Sequence, residues 1–189
     1  MQQNKPQDVH SFNVDHRYLE RGLYVAGEMP AGETDSILTF DLRLKKPNRE
    51  EVLTPAQAHA LEHCLATAIR AELSKDAADG LKPVYIGPMG CLTGFYVLFL
   101  KPNKLTGSDL TAKIVELFQA AVAEIKNMPE VPAANAKQCG NYSLSVPVAE
   151  LNPLLNDISR IIEQVAEQNN FDTYPLFAAD KDTDAAKTR

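Results

Sequence analysis

Val84-Tyr85-Ile86-Gly87-Pro88-Met89-Gly90-Cys91-Leu92-Thr93-Gly94-Phe95-Tyr96-Val97-Leu98-Phe99-Leu100 is the stretch from which the architecture is read. Two runs of strand-forming residues, Val84–Ile86 and Thr93–Leu100, flank Gly87-Pro88-Met89-Gly90, a turn sequence. Strands joined this closely pair as a hairpin, which favours a mixed or antiparallel sheet. Upstream, Ile37–Leu44 alternates: Leu38, Phe40, Leu42 and Leu44 share one face, and Thr39, Asp41 and Arg43 the other. Such alternation marks a half-buried strand, which Lys45–Asn48 ends with Pro47. Ser11–His16 alternates in the same way over a shorter span, and Pro30–Ser36 is a turn cluster. Between the strands, Thr54-Pro55-Ala56-Gln57 is a helix start. Thr54 caps, Pro55 suits the first helical position and Gln57 completes a capping box, predicting a helix to about Lys75. Downstream, Leu110, Ile114, Leu117, Phe118, Ala121 and Ile125 fall at helical spacing, closed by Pro129 and Pro132. Gln138–Val146 reads as a further strand. Asn152-Pro153 opens a third helix with Leu155, Ile158, Ile162 and Val165 inward.

The chain has 189 residues, 44% hydrophobic and 23% charged, enough to bury a core without disulfide or metal staples. Its net charge is −6, against a general nucleic-acid binder, and its basic residues are scattered. No apolar run approaches the roughly 20 residues of a membrane helix, and the N-terminal residues lack a secretory apolar stretch. Three cysteines are too few and too odd for a disulfide scaffold, so reduced thiols in the cytoplasm are expected. The organisation expected is one catalytic domain over residues 1–177 and a disordered polar tail over 178–189.

The chemistry concentrates in His59-Ala60-Leu61-Glu62-His63, which holds two of the four histidines. Residues four apart on a helix share a face, so both imidazoles can reach one metal ion. Glu62 lies roughly 60° around the axis from His59, placed for acid/base work beside a metal rather than as a ligand. Two histidines at this spacing also occur by chance. Cys139 is the candidate third ligand, leaving an open coordination position, although a buried structural cysteine is the plainer reading. Cys91 follows a turn with glycines on both sides, whose freedom allows unusual backbone angles and close substrate approach. There its thiol pKa can be lowered for proton shuttling; a small core residue is the alternative. Cys64 faces away from Glu62 and reads as core.

Five ordered segments together resemble the S-ribosylhomocysteine lyase (LuxS, autoinducer-2 synthase) family. They are Ser11-Phe12-Asn13-Val14-Asp15-His16; Phe40-Asp41-Leu42-Arg43 with Pro47-Asn48; His59 to His63; Pro88-Met89-Gly90-Cys91 with Thr93-Gly94-Phe95-Tyr96; and Gln138-Cys139-Gly140-Asn141-Tyr142. The resemblance covers roughly residues 10–165 and implies an α+β fold, an antiparallel sheet packed with helices. It implies one divalent metal per subunit on His59, His63 and Cys139, ferrous iron in the native enzyme with zinc or cobalt as substitutes. It implies Glu62 and Cys91 as the acid/base pair, Arg43 positioning both the substrate's sugar and the catalytic cysteine, and Ser11 and His16 on the substrate. It implies a homodimer with its active sites at the interface, Ser11 and His16 reaching the neighbour's site.

Two departures stand beside Cys91. The family commonly has Asp-Ile-Ser before Pro-Met-Gly-Cys, where this chain has Tyr85, Ile86 and Gly87. It commonly has Arg or Gln after the cysteine, where this chain has Leu92. Loss of a cation there would raise the thiol pKa. The competing expectations are a non-catalytic or substrate-altered metal-binding homologue, and an inverzincin-type metallopeptidase, whose pattern His59-x-x-Glu62-His63 also matches.

Overall fold

The computed structural model describes residues 13–75, 80–133 and 146–177. Four strands form one antiparallel sheet in the order β1-β2-β4-β3: β1 is Gly22–Pro30, β2 Asp35–Arg43, β3 Lys82–Pro88 and β4 Gly94–Pro102. Three helices accompany it: α1 Pro55–Lys75, α2 Gly107–Lys126 and α3 Asn152–Gln168. α1 lies against β3, α3 against β1, and α2 packs against both helices. The α+β architecture expected from the sequence is borne out.

The alternation in β2 sets the layers. Leu38, Phe40 and Leu42 point into the core, joined by Phe95, Val97 and Phe99 of β4. Helix residues Leu61, Leu65, Phe118 and Ile158 close that core from the other side, all fully buried. Burying each such side chain stabilises by about 1.5–3 kcal/mol before chain entropy is counted. Among the described residues no helix covers the opposite sheet face. Across it the register aligns Asp41 with Tyr96, and Tyr96 with Gly87. Farther along, Met29 and Tyr85 are 61% and 50% exposed. The chain thus has a dry face for packing and an open face on which polar chemistry can sit.

The helix starts follow the sequence closely. Thr54 Oγ1 accepts the Gln57 N–H at 3.1 Å, and Gln57 Oε1 accepts the Thr54 N–H at 3.0 Å. Two orphan amides of α1 are thereby satisfied reciprocally. Ahead of α3 the chain makes a short 3-10 turn over Val148–Leu151 that periodicity does not announce.

Three expectations change. Ser11–His16 is not a strand over its described part: Val14 makes one isolated bridge with Leu176, and turns follow. Asp15 instead accepts the backbone N–H and guanidinium of Arg17, which folds this segment back on itself. The strand β1 is absent from the sequence reading because a bulge between Val25 and Gly27 breaks its period. The left-handed backbone near Cys91 belongs to Leu92 (φ 55°), not to a glycine. Gln138–Val146, but for Val146, and the tail at 178–189 lie outside the described residues.

The capping box carries a stability prediction. Thr54→Ala should destabilise the protein by about 1 kcal/mol, since it orphans the Gln57 amide. In a thermal melt this lowers Tm by about 2–4 °C. An unchanged Tm would show that α1 is anchored by its packing alone.

Candidate active site

The β3–β4 hairpin holds Cys91 at the tip of a tightly bonded turn. Met89 N–H donates to Gly94 O, and Leu92 N–H to Met89 O, each at 2.9 Å. Leu53, just before α1, donates to Leu92 O at 2.9 Å, while Leu44 and Lys45 at the end of β2 both donate to Thr93 O. A Cβ at position 94 would collide with the Leu42 carbonyl, so only glycine lets β4 start this close to β2. The turn is fastened on three sides and the Cys91 thiol stands exposed.

Arg43 is the charge behind that thiol. It is 5% exposed and spreads its guanidinium across three partners. One terminal nitrogen donates to Asp41 Oδ2 at 2.6 Å. The other donates to Thr93 Oγ1 and lies 3.8 Å from Cys91 Sγ. Thr93 Oγ1 is itself 3.0 Å from the sulfur. Burial pushes the Cys91 thiol up, but hydrogen bonds from Thr93 and the charge of Arg43 outweigh it and hold the pKa below the ordinary value. A cation absent at position 92 is therefore present from β2, where the resemblance sets Arg43 beside the catalytic cysteine, and the thiol pKa is lowered rather than raised. Asp41 shows the opposite balance. Burial raises its carboxyl pKa despite Arg43 and a Tyr174 hydroxyl donating at 2.9 Å. By contrast Cys64, sealed in the core, has its thiol pushed up to about 11 by burial alone.

These groups line a cleft of about 490 Å³ on the open sheet face. Cys91, Arg43, Asp41, Tyr96, Tyr174 and His16 all border it. His16 is exposed, and its Nδ1–H donates to Val14 O at 2.9 Å, which leaves Nε2 as an acceptor. The volume suits a small polar metabolite.

A second group forms on α1. His59 Nε2 and His63 Nε2 face each other at 3.1 Å. His63 Nδ1 lies 3.0 Å from the Pro132 carbonyl, which can only accept, so Nδ1 carries the proton and Nε2 a lone pair. A fixed tautomer with its lone pair turned toward a second imidazole is how a metal-binding histidine is prepared. The donor set fits a divalent ion. His59, Glu62 and His63 do not line the Cys91 cleft. Cys139 and Ser11 lie outside the described residues, and among those described no cluster of three metal-ligating side chains forms.

Four participants escaped the sequence reading: Asp41, Thr93, Tyr96 and Tyr174. The first was within reach, because Asp41 shares the outer face of β2 with Arg43 and a buried guanidinium needs a carboxylate. Thr93 and Tyr96 stood in the quoted hairpin without a role. Tyr174 had no signal, since nothing local ties a residue after α3 to β2.

Comparison with known proteins gives a consistent answer. The family model described as S-Ribosylhomocysteinase (LuxS) matches residues 9–169. A Clostridium beijerinckii protein named S-ribosylhomocysteine lyase is 40% identical over 153 residues, covering 79% of this chain and 90% of that one. Proteins of the same name from Finegoldia magna and Phocaeicola vulgatus are 39% and 36% identical. They cover 81% and 88% of this chain, and 92% and 96% of their own length.

Thr93→Val tests the origin of the lowered thiol pKa. Valine fills the same space and removes the hydroxyl 3.0 Å from the sulfur. The pH midpoint of Cys91 alkylation by iodoacetamide should rise, because the thiolate loses a donor. At pH 7 the rate should fall about threefold to tenfold, the worth of one ordinary hydrogen bond at a half-exposed thiol. An unmoved midpoint would assign the effect to Arg43 alone.

Proposed function

The chain belongs to the S-ribosylhomocysteine lyase (LuxS) family, and from that premise we propose how its residues cleave the substrate. It is a carbon–sulfur lyase that releases homocysteine from S-ribosylhomocysteine. The observation that carries the proposal is the exposed Cys91 thiol, lowered in pKa by Thr93 and Arg43 at the edge of a substrate-sized cleft.

The substrate is a ribose joined through C5 to the sulfur of homocysteine. Cleavage needs a carbonyl at C3, so that the C4–H is acidic and the C5–S bond lies β to it. Cys91 as thiolate and Glu62 as carboxylate move protons between neighbouring carbons, shifting the carbonyl from C1 to C2 and then to C3. Each transfer takes a proton from one carbon and returns one to the next, with no net oxidation. Removal of the C4 proton then expels the sulfur from C5, which takes up a proton and leaves as homocysteine. The remaining carbon chain is 4,5-dihydroxy-2,3-pentanedione, the precursor of autoinducer-2.

Arg43 favours the thiolate of Cys91 and, with His16 and Ser11, binds the sugar hydroxyls. His59, His63 and Cys139 would hold one divalent metal, and ferrous iron suits this nitrogen and thiolate set. When bound, such a metal polarises the sugar carbonyl and makes its neighbouring C–H bonds acidic.

Two half-sites, one around Cys91 and one on α1, are joined in this proposal by a homodimer. Met29, Val84 and Tyr85 on the open sheet face supply apolar surface for a second copy. The site then combines residues of both subunits, Ser11 and His16 reaching across. The working unit is residues 1–177, in the cytoplasm, where thiols and ferrous iron stay reduced. Among the described residues no helix is long and apolar enough to cross a membrane.

Anaerobic, ferrous-loaded protein should release thiol from S-ribosylhomocysteine. Cys91→Ala should keep its metal and lose about 100-fold or more in kcat, the scale of a removed acid/base group. Cys139→Ala should lose the metal itself, read by metal analysis. Normal turnover by Cys91→Ala would overturn the assignment of the proton-moving thiol.

A further inference from the structure

The residues after α3 do not trail away. Residues 171–177, which follow the family-matched span of 9–169, fold back across the edge of the sheet. Phe171 packs edge-to-face on Phe40 with ring centroids 4.8 Å apart. Asp172 brackets Leu23: its N–H donates to Leu23 O at 3.0 Å and its Oδ2 accepts Leu23 N–H at 2.8 Å. Tyr174 stacks on Tyr24, centroids 4.6 Å apart and nearly parallel. Pro175 O accepts the Asp15 N–H at 2.7 Å, and Phe177 N–H donates to Asn13 O at 3.1 Å. The strap thus clamps the segment that carries His16 and aims one phenol at the cleft.

That phenol has a defined target. Tyr174 donates its hydroxyl at 2.9 Å to Asp41 Oδ2, the same oxygen that takes Arg43 at 2.6 Å. Asp41 and the Cys91 sulfur stand at the two ends of one guanidinium. Whatever takes up charge on Asp41 leaves more of Arg43 for the thiolate. We propose that Tyr174 is a positioning residue, its hydroxyl fixing Asp41 and through it Arg43 against Cys91. The strap delivers this hydroxyl from residues that follow the family-matched span. The inference rests on Cys91 being the proton-moving thiol of the proposed reaction.

The titratable and charged groups around the cleft are His16 on the N-terminal segment, Asp41 and Arg43 on β2, Tyr96 on β4 and Tyr174 on the strap. Of these Asp41 accepts the Tyr174 hydroxyl. Without that hydroxyl the carboxylate draws the guanidinium toward itself and away from sulfur. The direction follows: the thiolate is less favoured.

Tyr174→Phe keeps the stack on Tyr24 and removes only the oxygen. The pH dependence of Cys91 alkylation by iodoacetamide is measured on the full chain and on a chain ended at Asn170. Both variants should move the midpoint up by about half a unit, a threefold slower reaction at pH 7. In thiol release, kcat should fall about threefold with KM held. Overlaid profiles for Tyr174→Phe and the parent, or a shift to lower pH, overturn the proposal. A shift in the shortened chain alone also overturns it, because the strap would then act by covering the site. The alkylation arm needs no substrate, so it tests Tyr174 even if the parent released no thiol, an outcome that would sink the lyase reading instead.

Discussion

Arg43 is the contact on which the site depends. A guanidinium buried to this degree is costly to desolvate, and only close acceptors offset that. Asp41 supplies one at 2.6 Å and Thr93 another. Removing Asp41 strands the guanidinium's charge in a dry place, and removing Thr93 leaves one of its donors unpaired. Among the described residues Asp41 Oδ1 and Arg43 Nε still lack a hydrogen-bond partner, so the network is not saturated. Such an arrangement is poor as a means of stability, since a partly satisfied buried polar network is costly.

The sheet explains why the charge can be kept there. In β2 the same alternation that sends Phe40 and Leu42 into the helix-covered core sends Asp41 and Arg43 to the other face. A one-residue slip of register would bury the ion pair among Leu61, Leu65 and Phe118 and expose two large apolar groups. Register is therefore fixed by both faces at once. Gly94 then brings the Cys91 turn close against the end of β2, which sets the sulfur within reach of Arg43. Fold and reactivity share one constraint: the pairing of β2 with β4.

Legibility in the sequence follows from the range of the interactions. The capping box at Thr54 and Gln57 and the facing imidazoles at His59 and His63 are local, set by helical geometry within four residues, and both read directly. The strand β1 was illegible because its bulge at Val25/Gly27 destroys the period that reading relies on. Arg43 reaches Cys91 from 48 positions away, so its place beside the thiol is legible only through the family resemblance and not from anything local. Leu92 meanwhile takes the left-handed backbone at the turn, a role that glycine would fill with less strain, and packs its side chain against the core. Nothing in a residue's own neighbourhood encodes such exchanges.

The departures beside Cys91 form one coupled change rather than two losses. Gly87 has no Cβ, and one placed there would collide with the Tyr85 phenol. Tyr85 therefore lies along the open face over Gly87, and a larger residue at 87 would turn its phenol aside. The register sets Gly87 opposite Tyr96, which lines the Cys91 cleft. A carboxylate and a hydroxyl at these two positions would have put polar groups on this face; the tyrosine and glycine put an aromatic surface there instead. The contacts that lower the Cys91 thiol pKa stand apart from the exchange, because the charge comes from Arg43 on β2 and the hydrogen bond from Thr93. The thiol's chemistry and the surroundings of the cleft are thus carried by different strands, so one can vary while the other holds.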